Sequence, residues 1–325
     1  MTSPFAGLEV DKALRPTSGA FSFDLNSRLT SVVALEASVS NDASTAEALG
    51  TNRIGNGIVI GAEGLVLTIG YLITEADEVI LTTGDGRRVQ AHVLGVDQAT
   101  GFGLVHALEP LNLPALPIGD SRAVAKDETV LVAGAGGRAH ALAGVLLARS
   151  SFAGYWEYYL DEALFVGPAH PHWSGAALIN GAGQLVGIGS LYVEQRTLEG
   201  DVQPLNMFVP AELLAPILAD LQAGRPTRPP RPWIGAIAQE ADSHVVVLDV
   251  SDGGPADQAG LEQGDIIRSI GGERVTDLAG FYQHLWALGP PGTMARVVVQ
   301  RDQQTLSIDI QTADRTARLK KRRLN

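Results

Sequence analysis

Few residues in this chain have both the type and the setting for covalent chemistry, and the one with the most suggestive neighbours is Ser174. It lies in Pro171-His172-Trp173-Ser174-Gly175-Ala176-Ala177, with a glycine directly after it and imidazoles at His170 and His172. A serine hydroxyl becomes a nucleophile when a nitrogen base of near-neutral pKa takes its proton and a carboxylate holds that base in one tautomer. His170 and His172 are therefore candidate bases, although His172 is only two residues away and would need an unusual ring placement. The same pair could offer two nitrogens to a metal. His92, His106, His140, His244 and His284 are scattered, however, and no third ligand stands at metal-site spacing, so no metal is expected. The absence of cysteine excludes a thiol nucleophile, a thiolate metal site and disulfides. Gly134-Ala135-Gly136-Gly137 opens no helix, so it does not read as a phosphate loop, and no cofactor is implied.

The elements that must position Ser174 are strands. From about Leu29 to Val209, short apolar runs such as "NGIVIG", "LVLTIGYLI", "EVILTT", "ETVLVAGA" and "QLVGIGSLYV" alternate with Gly, Asp and Pro turn signals. That spacing predicts an all-β barrel or sandwich. "PAELLAPILADLQAG" then carries apolar residues at helical spacing (Leu213, Leu214, Ile217, Leu218, Leu221), with Gly224 as a stop signal. "RPTRPPRP" (Arg225 to Pro232) has four prolines without amide donors and reads as a semi-rigid linker. After it, "HVVVLDV", "DIIRSIGG", "ARVVVQR" and "TLSIDIQ" alternate with helical "PADQAG" and "DLAGFYQHLWAL", a small α+β module. The boundaries that follow are an arm over 1–28, a β domain over 29–222, a linker over 223–232, a module over 233–315 and a basic tail over 316–325.

With 45% hydrophobic residues, both domains can bury cores. The formal net charge is −12, and Arg318, Lys320, Lys321, Arg322 and Arg323 all fall in the last eight positions, which leaves the rest more acidic still. An acidic body argues against a nucleic-acid surface, and the tail reads as a solvated end. The first residues have acidic groups and no 7–15-residue apolar run, and no 18-residue apolar span occurs. A cytoplasmic protein without a membrane span is the expectation from this.

The C-terminal module resembles a bacterial PDZ domain of the HtrA/Deg kind, on the order Trp233-Ile234-Gly235-Ala236, "VVVLDVSDGGPADQAGLEQGDIIRSIGGERV" and "DLAGFYQHLWAL". The resemblance implies that backbone amides of Trp233, Ile234, Gly235 and Ala236 receive a peptide's terminal carboxylate. The following strand would then pair with the peptide, and the helix from Asp277 to Leu288 would form the other wall of the groove. Gly235 lets a carboxylate approach the backbone closely. The alternative is a groove closed or filled by the chain itself.

The β-rich domain resembles the trypsin-like protease half of the same family, on "GNGIVIGAEGLVLTIGYLI", "GVDQATGFGLVHAL", "LPALPIGDS", "PHWSGAALINGAGQLVGIGSL" and "FVPAELLAPIL" in the family's order. The implied fold is mainly β, a trypsin-like double β-barrel followed by a small α+β PDZ domain. Ser174 falls at the nucleophile position, but Tyr71 replaces the base histidine in "LTIGYLI". Gly101, after Asp97-Gln98-Ala99-Thr100, replaces the orienting aspartate. His172 stands where a glycine amide would point into the oxyanion hole. A phenol with a reference pKa near ~10 is a poor base at neutral pH.

These departures imply a catalytically inactive relative that works as a peptide-binding scaffold or regulator. The alternatives are an active serine hydrolase using His172 or His170, and a ligand or metal site in the old cleft. Tyr71 is expected to fill the slot of the lost imidazole against Trp173, Phe102 or Ser174. "FAGYWEYYLDEALF" (Phe152 to Phe165) is either a partner surface or repacked interior. Phe5, Phe21 and Phe23 suggest a homo-oligomer, since relatives often form trimers through N-terminal aromatics.

Overall fold

The computed structural model describes residues 5, 7–17, 19–196, 200–241 and 244–320. The chain divides into two compact units. One holds the chain up to Ser150, Glu162–Thr227 and the final residues from Lys320, and the other holds Ser151–Asp161 with Arg228–Leu319.

The first unit is two closed six-stranded barrels. In the first barrel, β1 (Val32–Val39), β2 (Asn52–Gly61), β3 (Leu65–Ile69), β4 (Ala76–Thr82), β5 (Arg88–Val96) and β6 (Phe102–Ala107) close in the order β1-β2-β3-β6-β5-β4. In the second, β7 (Thr129–Ala133), β8 (Ala141–Gly154), β9 (Tyr158–Gly167), β10 (Ala177–Ile179), β11 (Leu185–Arg196) and β12 (Val202–Pro210) close as β10-β11-β12-β9-β8-β7. Every residue of β3 and β10 is buried, which explains why they read as near-continuous apolar runs rather than alternating ones; the one polar residue, Thr68, donates its hydroxyl to the Asn56 carbonyl at 2.7 Å. Helices are short: α1 (Leu25–Thr30), capped by the Asp24 carboxylate on the Asn26 and Ser27 amides, and α2 (Ala46–Leu49).

The helix expected after Val209 is broken in two, a 3₁₀ turn at Ala211–Leu214 and α3 (Leu218–Gln222). Pro216 lies between them; it has no amide to donate, so the hydrogen-bond ladder is interrupted there although Ala215 itself keeps helical backbone. The tail is not simply solvated: Lys320 Nζ pairs with Asp42 at 2.6 Å and with Ser40 Oγ at 2.7 Å. Arg318 donates to the Asp252 carbonyl at 2.8 Å, and the remaining basic residues Lys321, Arg322 and Arg323 lie outside the described residues. Phe5 is 5% exposed and packs on His172 with ring centroids 4.5 Å apart, so its aromatic surface is taken up within the chain.

In the second unit, β13 (Pro232–Trp233) pairs with β20 (Ala313–Asp314), and the main sheet runs β14 (Ala236–Ala241), β15 (His244–Val250), β16 (Ile266–Ile270), β18 (Met294–Arg301), β19 (Gln304–Gln311), with β17 (Glu273–Arg274) beside β16. Two helices complete it: α4 (Pro255–Ala259), with Pro at its first position and Gly260 left-handed after it, and α5 (Leu278–Ala287), capped by Asp277 on the Gly280 amide. Phe281, Tyr282 and Leu285 of α5 are fully buried with Ile234, Val245, Ile267 and Val297. β14 is an edge strand of this sheet, and it begins directly after the Trp233–Gly235 segment.

Candidate active site

Ser174 lies in the turn between the Pro168 segment and β10, and Tyr71 lies in the 3₁₀ turn Gly70–Leu72 that ends β3. The fold brings them together: Tyr71 Oη is 2.7 Å from Ser174 Oγ and 2.8 Å from the Ser190 carbonyl oxygen. A carbonyl can only accept, so the single phenolic proton goes to Ser190, and in the contact with Ser174 the serine hydroxyl is the donor. The phenol is thus already an acceptor for the serine proton, yet burial pushes its pKa up to about 12. With that pKa the phenol keeps its own proton at neutral pH, so no phenolate is present to take the proton of Ser174.

Gly101 is brought close as well. Its carbonyl accepts the Gly70 amide at 2.6 Å, and its own amide donates to the Asp97 carbonyl at 2.8 Å. Its φ is +79°, left-handed backbone that a carboxylate-bearing residue adopts only with strain. The nearest carboxylate in sequence, Asp97, is 2% exposed and engaged elsewhere: Oδ2 accepts the Thr100 amide at 2.8 Å and the Thr100 hydroxyl at 2.7 Å, and Oδ1 meets Thr227 Oγ1.

The two imidazoles proposed as alternative bases are committed away from the serine. His170 is fully buried; its Nε2–H donates to the His140 carbonyl at 3.0 Å and its Nδ1 accepts the His172 amide at 3.0 Å. Burial pushes its pKa down to about 4, so it is neutral with both nitrogens occupied. His172 points its Nε2 at the Leu8 carbonyl, 2.8 Å away, and its ring at Phe5. Among the described residues, no imidazole nitrogen is hydrogen-bonded to Ser174 Oγ. The His172 amide, expected from the resemblance to stand at an oxyanion-donor position, is directed at His170 Nδ1. Among the described residues no group of His, Cys, Asp and Glu is arranged to hold a metal ion.

Reading the sequence did not single out Asn56, which organises this loop. Fully buried in β2, it donates its amide to the Ser174 carbonyl at 2.8 Å and its Nδ2 to the His172 and Ser174 carbonyls, each at 2.9 Å; its Oδ1 accepts the Ala135 amide at 2.8 Å. The only signal was a polar residue between two glycines, and both glycines are needed for close approach. A Cβ on Gly55 would meet the Ser174 carbonyl at 2.9 Å and its hydroxyl at 3.1 Å. Gly175 has φ +72°, and a Cβ there would overlap the Asn56 carbonyl, as one on Gly189 would overlap that of Trp173. Arg53 was missed too: its guanidinium is buried and donates to the carbonyls of Tyr71 and Thr74, both at 2.8 Å, fixing the turn that presents the phenol.

At the second site, Gly235 has φ +79° and its amide faces the Glu157 carboxylate, Oε1 at 3.4 Å. The "FAGYWEYYLDEALF" stretch is the β8–β9 hairpin, and its tip belongs to the second unit. Within this stretch Tyr155 is exposed, whereas Tyr158, Leu160 and Leu164 are buried.

Comparison with known proteins agrees with both units. A trypsin-like peptidase domain matches residues 55–188 and a PDZ domain matches residues 232–312. A probable periplasmic serine endoprotease, DegP-like, from Ectopseudomonas mendocina is 29% identical over 77% of this chain and 54% of its own length. A protein of the same name from Pseudomonas putida is 27% identical over 79% and 55%. The chain therefore spans about half the length of the curated relatives it matches. Among solved structures, the HtrA-type protease AlgW with decapeptide aligns over 89% of this chain and 98% of its own with a TM-score of 0.54 at 20% identity, and a serine endoprotease from Yersinia pestis over 92% and 98% with 0.53 at 24%. These structures share the fold.

The relatives' names correct one expectation. They are periplasmic proteins, which points to a periplasmic rather than a cytoplasmic location. The cytoplasmic reading rested on the make-up of the first residues, and that says little about where a protein finally resides. Both domain matches in series, the relatives along most of the chain and the shared fold lead to one assignment: the chain joins a trypsin-like peptidase domain to a PDZ domain, and it is similar along most of its length to DegP-like serine endoproteases.

Proposed function

We propose that this HtrA-like chain is catalytically silent at Ser174 and works as a peptide-binding protein through its PDZ domain. The observation that carries the reading is the hydrogen bond from Ser174 Oγ to a phenol whose own proton is directed at the Ser190 carbonyl. Acyl transfer at neutral pH needs a base that takes the serine proton, a carboxylate that orients the base and amides aimed at the developing oxyanion. Tyr71, Gly101 and the inturned His172 amide remove one requirement each. Losing the base alone costs about 10⁶ in turnover in enzymes of this kind.

The relatives are named serine endoproteases, so retained proteolysis is the competing expectation. A fluorophosphonate probe distinguishes the two. The expected result is no labelling of the full chain under conditions that label an active relative; labelling lost in Ser174→Ala would overturn the proposal.

For the PDZ domain, Trp233, Ile234, Gly235 and Ala236 are proposed to receive a carboxylate, with β14 and α5 as the walls of the groove. Peptides ending in a free carboxylate should bind more tightly than their amides, and Gly235→Glu should abolish the preference. Self-association, proposed from the family resemblance, would use Phe21 and Phe23, whose rings pack 5.3 Å apart, rather than the buried Phe5.

A further inference from the structure

The Trp233–Ala236 loop already faces a carboxylate, and it comes from the same chain. At the hairpin tip, Glu157 turns its side chain to the Gly235 amide, with the Ile234 amide also engaging it. Two residues earlier, the Tyr155 carbonyl accepts the Ala238 amide of β14 at 3.4 Å. Residues 155 to 157 thus run opposite 238 to 235, antiparallel to the edge strand, with the carboxylate at the glycine end. The three residues form a turn rather than a strand, and they meet the sheet edge through this one backbone hydrogen bond and the carboxylate, the two kinds of contact a strand-adding peptide would make.

The tip is held from its other sides. Tyr282 of α5, fully buried, donates its hydroxyl to the Gly154 carbonyl at 2.8 Å and accepts the Glu157 amide at 3.2 Å. Arg315 donates to the Trp156 carbonyl at 2.7 Å. Trp156 stacks on Tyr158, with centroids 5.6 Å apart and planes 15° apart. Glu157 itself has φ +60°, a conformation that L residues seldom adopt unless neighbours impose it. Further along the groove, a cavity of about 540 Å³ opens between β14 and the start of α5, beside Gln239, Glu240, Asp277 and Leu278.

We propose that Tyr155-Trp156-Glu157 is a built-in ligand of the PDZ domain, its side-chain carboxylate standing in for a peptide's C-terminus, so that a C-terminal peptide binds only by displacing the hairpin tip. This rests on the reading of the Trp233–Ala236 loop as a peptide site. The chemistry of the displacing ligand follows: an extended peptide with a free terminal carboxylate, its upstream residues able to enter the open part of the groove next to β14. The Glu157 carboxylate pays for its burial in acidity, its pKa pushed up to about 8 by desolvation while Arg315 draws it down. A terminal carboxylate with fuller access to both amides has the advantage.

The test uses the full chain and two variants, Glu157→Gln and Glu157→Gly, the latter keeping the left-handed backbone without strain. The first readout is the Gly235 amide by NMR. The expected result is a resonance shift and faster hydrogen exchange at Gly235 and Ala238 in both variants; unchanged amides would overturn self-ligation, whatever peptides do. The second is a fluorescent Ser-Phe-Ala-Gly-Tyr-Trp peptide with a free carboxylate, against its amide. If the tip holds the loop nine-tenths of the time, Glu157→Gly raises the peptide's affinity about tenfold. Equal affinity for wild type and variant would also count against the proposal. If no peptide binds any of the proteins while Gly235 responds to Glu157, self-ligation stands and the peptide-capture reading fails.

Discussion

His170 offers a quantitative check on the geometry around Ser174. Its imidazole is buried and neutral, Nε2–H on the His140 carbonyl and Nδ1 accepting the His172 amide. The perturbation is acid. Its pKa falls from 6.5 to about 4 on folding because burial disfavours the cation, with the neighbouring rings of His172 and His140 adding repulsion. The folded pKa lies below the unfolded one, so the unfolded chain takes up the proton first. The stability from keeping the ring neutral is fully present above pH 6.5 and is lost as pH falls through about 4. At about 1.4 kcal/mol per pH unit, the loss reaches about 2 kcal/mol at pH ~5 and about 3 kcal/mol below pH ~4. Hydrogen exchange at slow amides of the second barrel, such as Leu178 and Ile188, reports the opening free energy of this unit by itself. His170→Gln should be less stable than wild type at neutral pH, because its terminal amide does not place donor and acceptor as the two ring nitrogens do, and should close most of that gap as pH drops from about 7 to about 4. A constant gap across that window would refute the buried neutral imidazole, and with it the description of the His172 amide as directed at His170.

Two substitutions near Ser174 test the rest of the site. Asn56→Ala removes three side-chain hydrogen bonds in a fully buried setting and leaves the His172 carbonyl and the Ala135 amide without those partners; it should cost about 2–4 kcal/mol in the same exchange measurement, and a cost below about 1 kcal/mol would show that the loop is not held from β2. Tyr71→His restores an imidazole but neither the carboxylate nor the oxyanion amide. Since the carboxylate is worth about 10⁴ and one oxyanion donor about 10²–10³, the variant should stay unlabelled by fluorophosphonate, and labelling would show that the other two departures matter little.

Much of this architecture was legible in the residues because it depends on local chemistry. The buried runs of β3 and β10, the turn glycines, the Pro255 and Asp277 helix starts and the proline-rich stretch before Trp233 all state their conformation within a few neighbours. The position of Tyr71 opposite Ser174 was legible only through family resemblance, since 103 residues separate them. The helix over Pro210–Ala223 was overread because apolar spacing carried more weight than Pro216. Asn56 was invisible for a different reason: a lone polar residue in a strand looks like an outward-facing one until its partners, more than 75 residues away, are known. Glu157 looked like any acidic loop residue, because only the folded second unit puts the Gly235 amide beside it. Location was misread because the make-up of the first residues was asked to answer a question it does not hold.

The glycines around Ser174 bear on how such chains are sorted. Gly175 keeps its left-handed backbone and bare Cα because the Asn56 carbonyl occupies the space of a side chain, and Gly189 is confined by Trp173 in the same way. The Ser-Gly pair is therefore held in place by volume, and would be held whether or not the serine ever formed an acyl bond. A census of hydrolases built on that dipeptide would count this chain on the strength of its packing. The informative position for such a census lies across the cleft, at residue 71, where a proton acceptor is either strong enough to use or not.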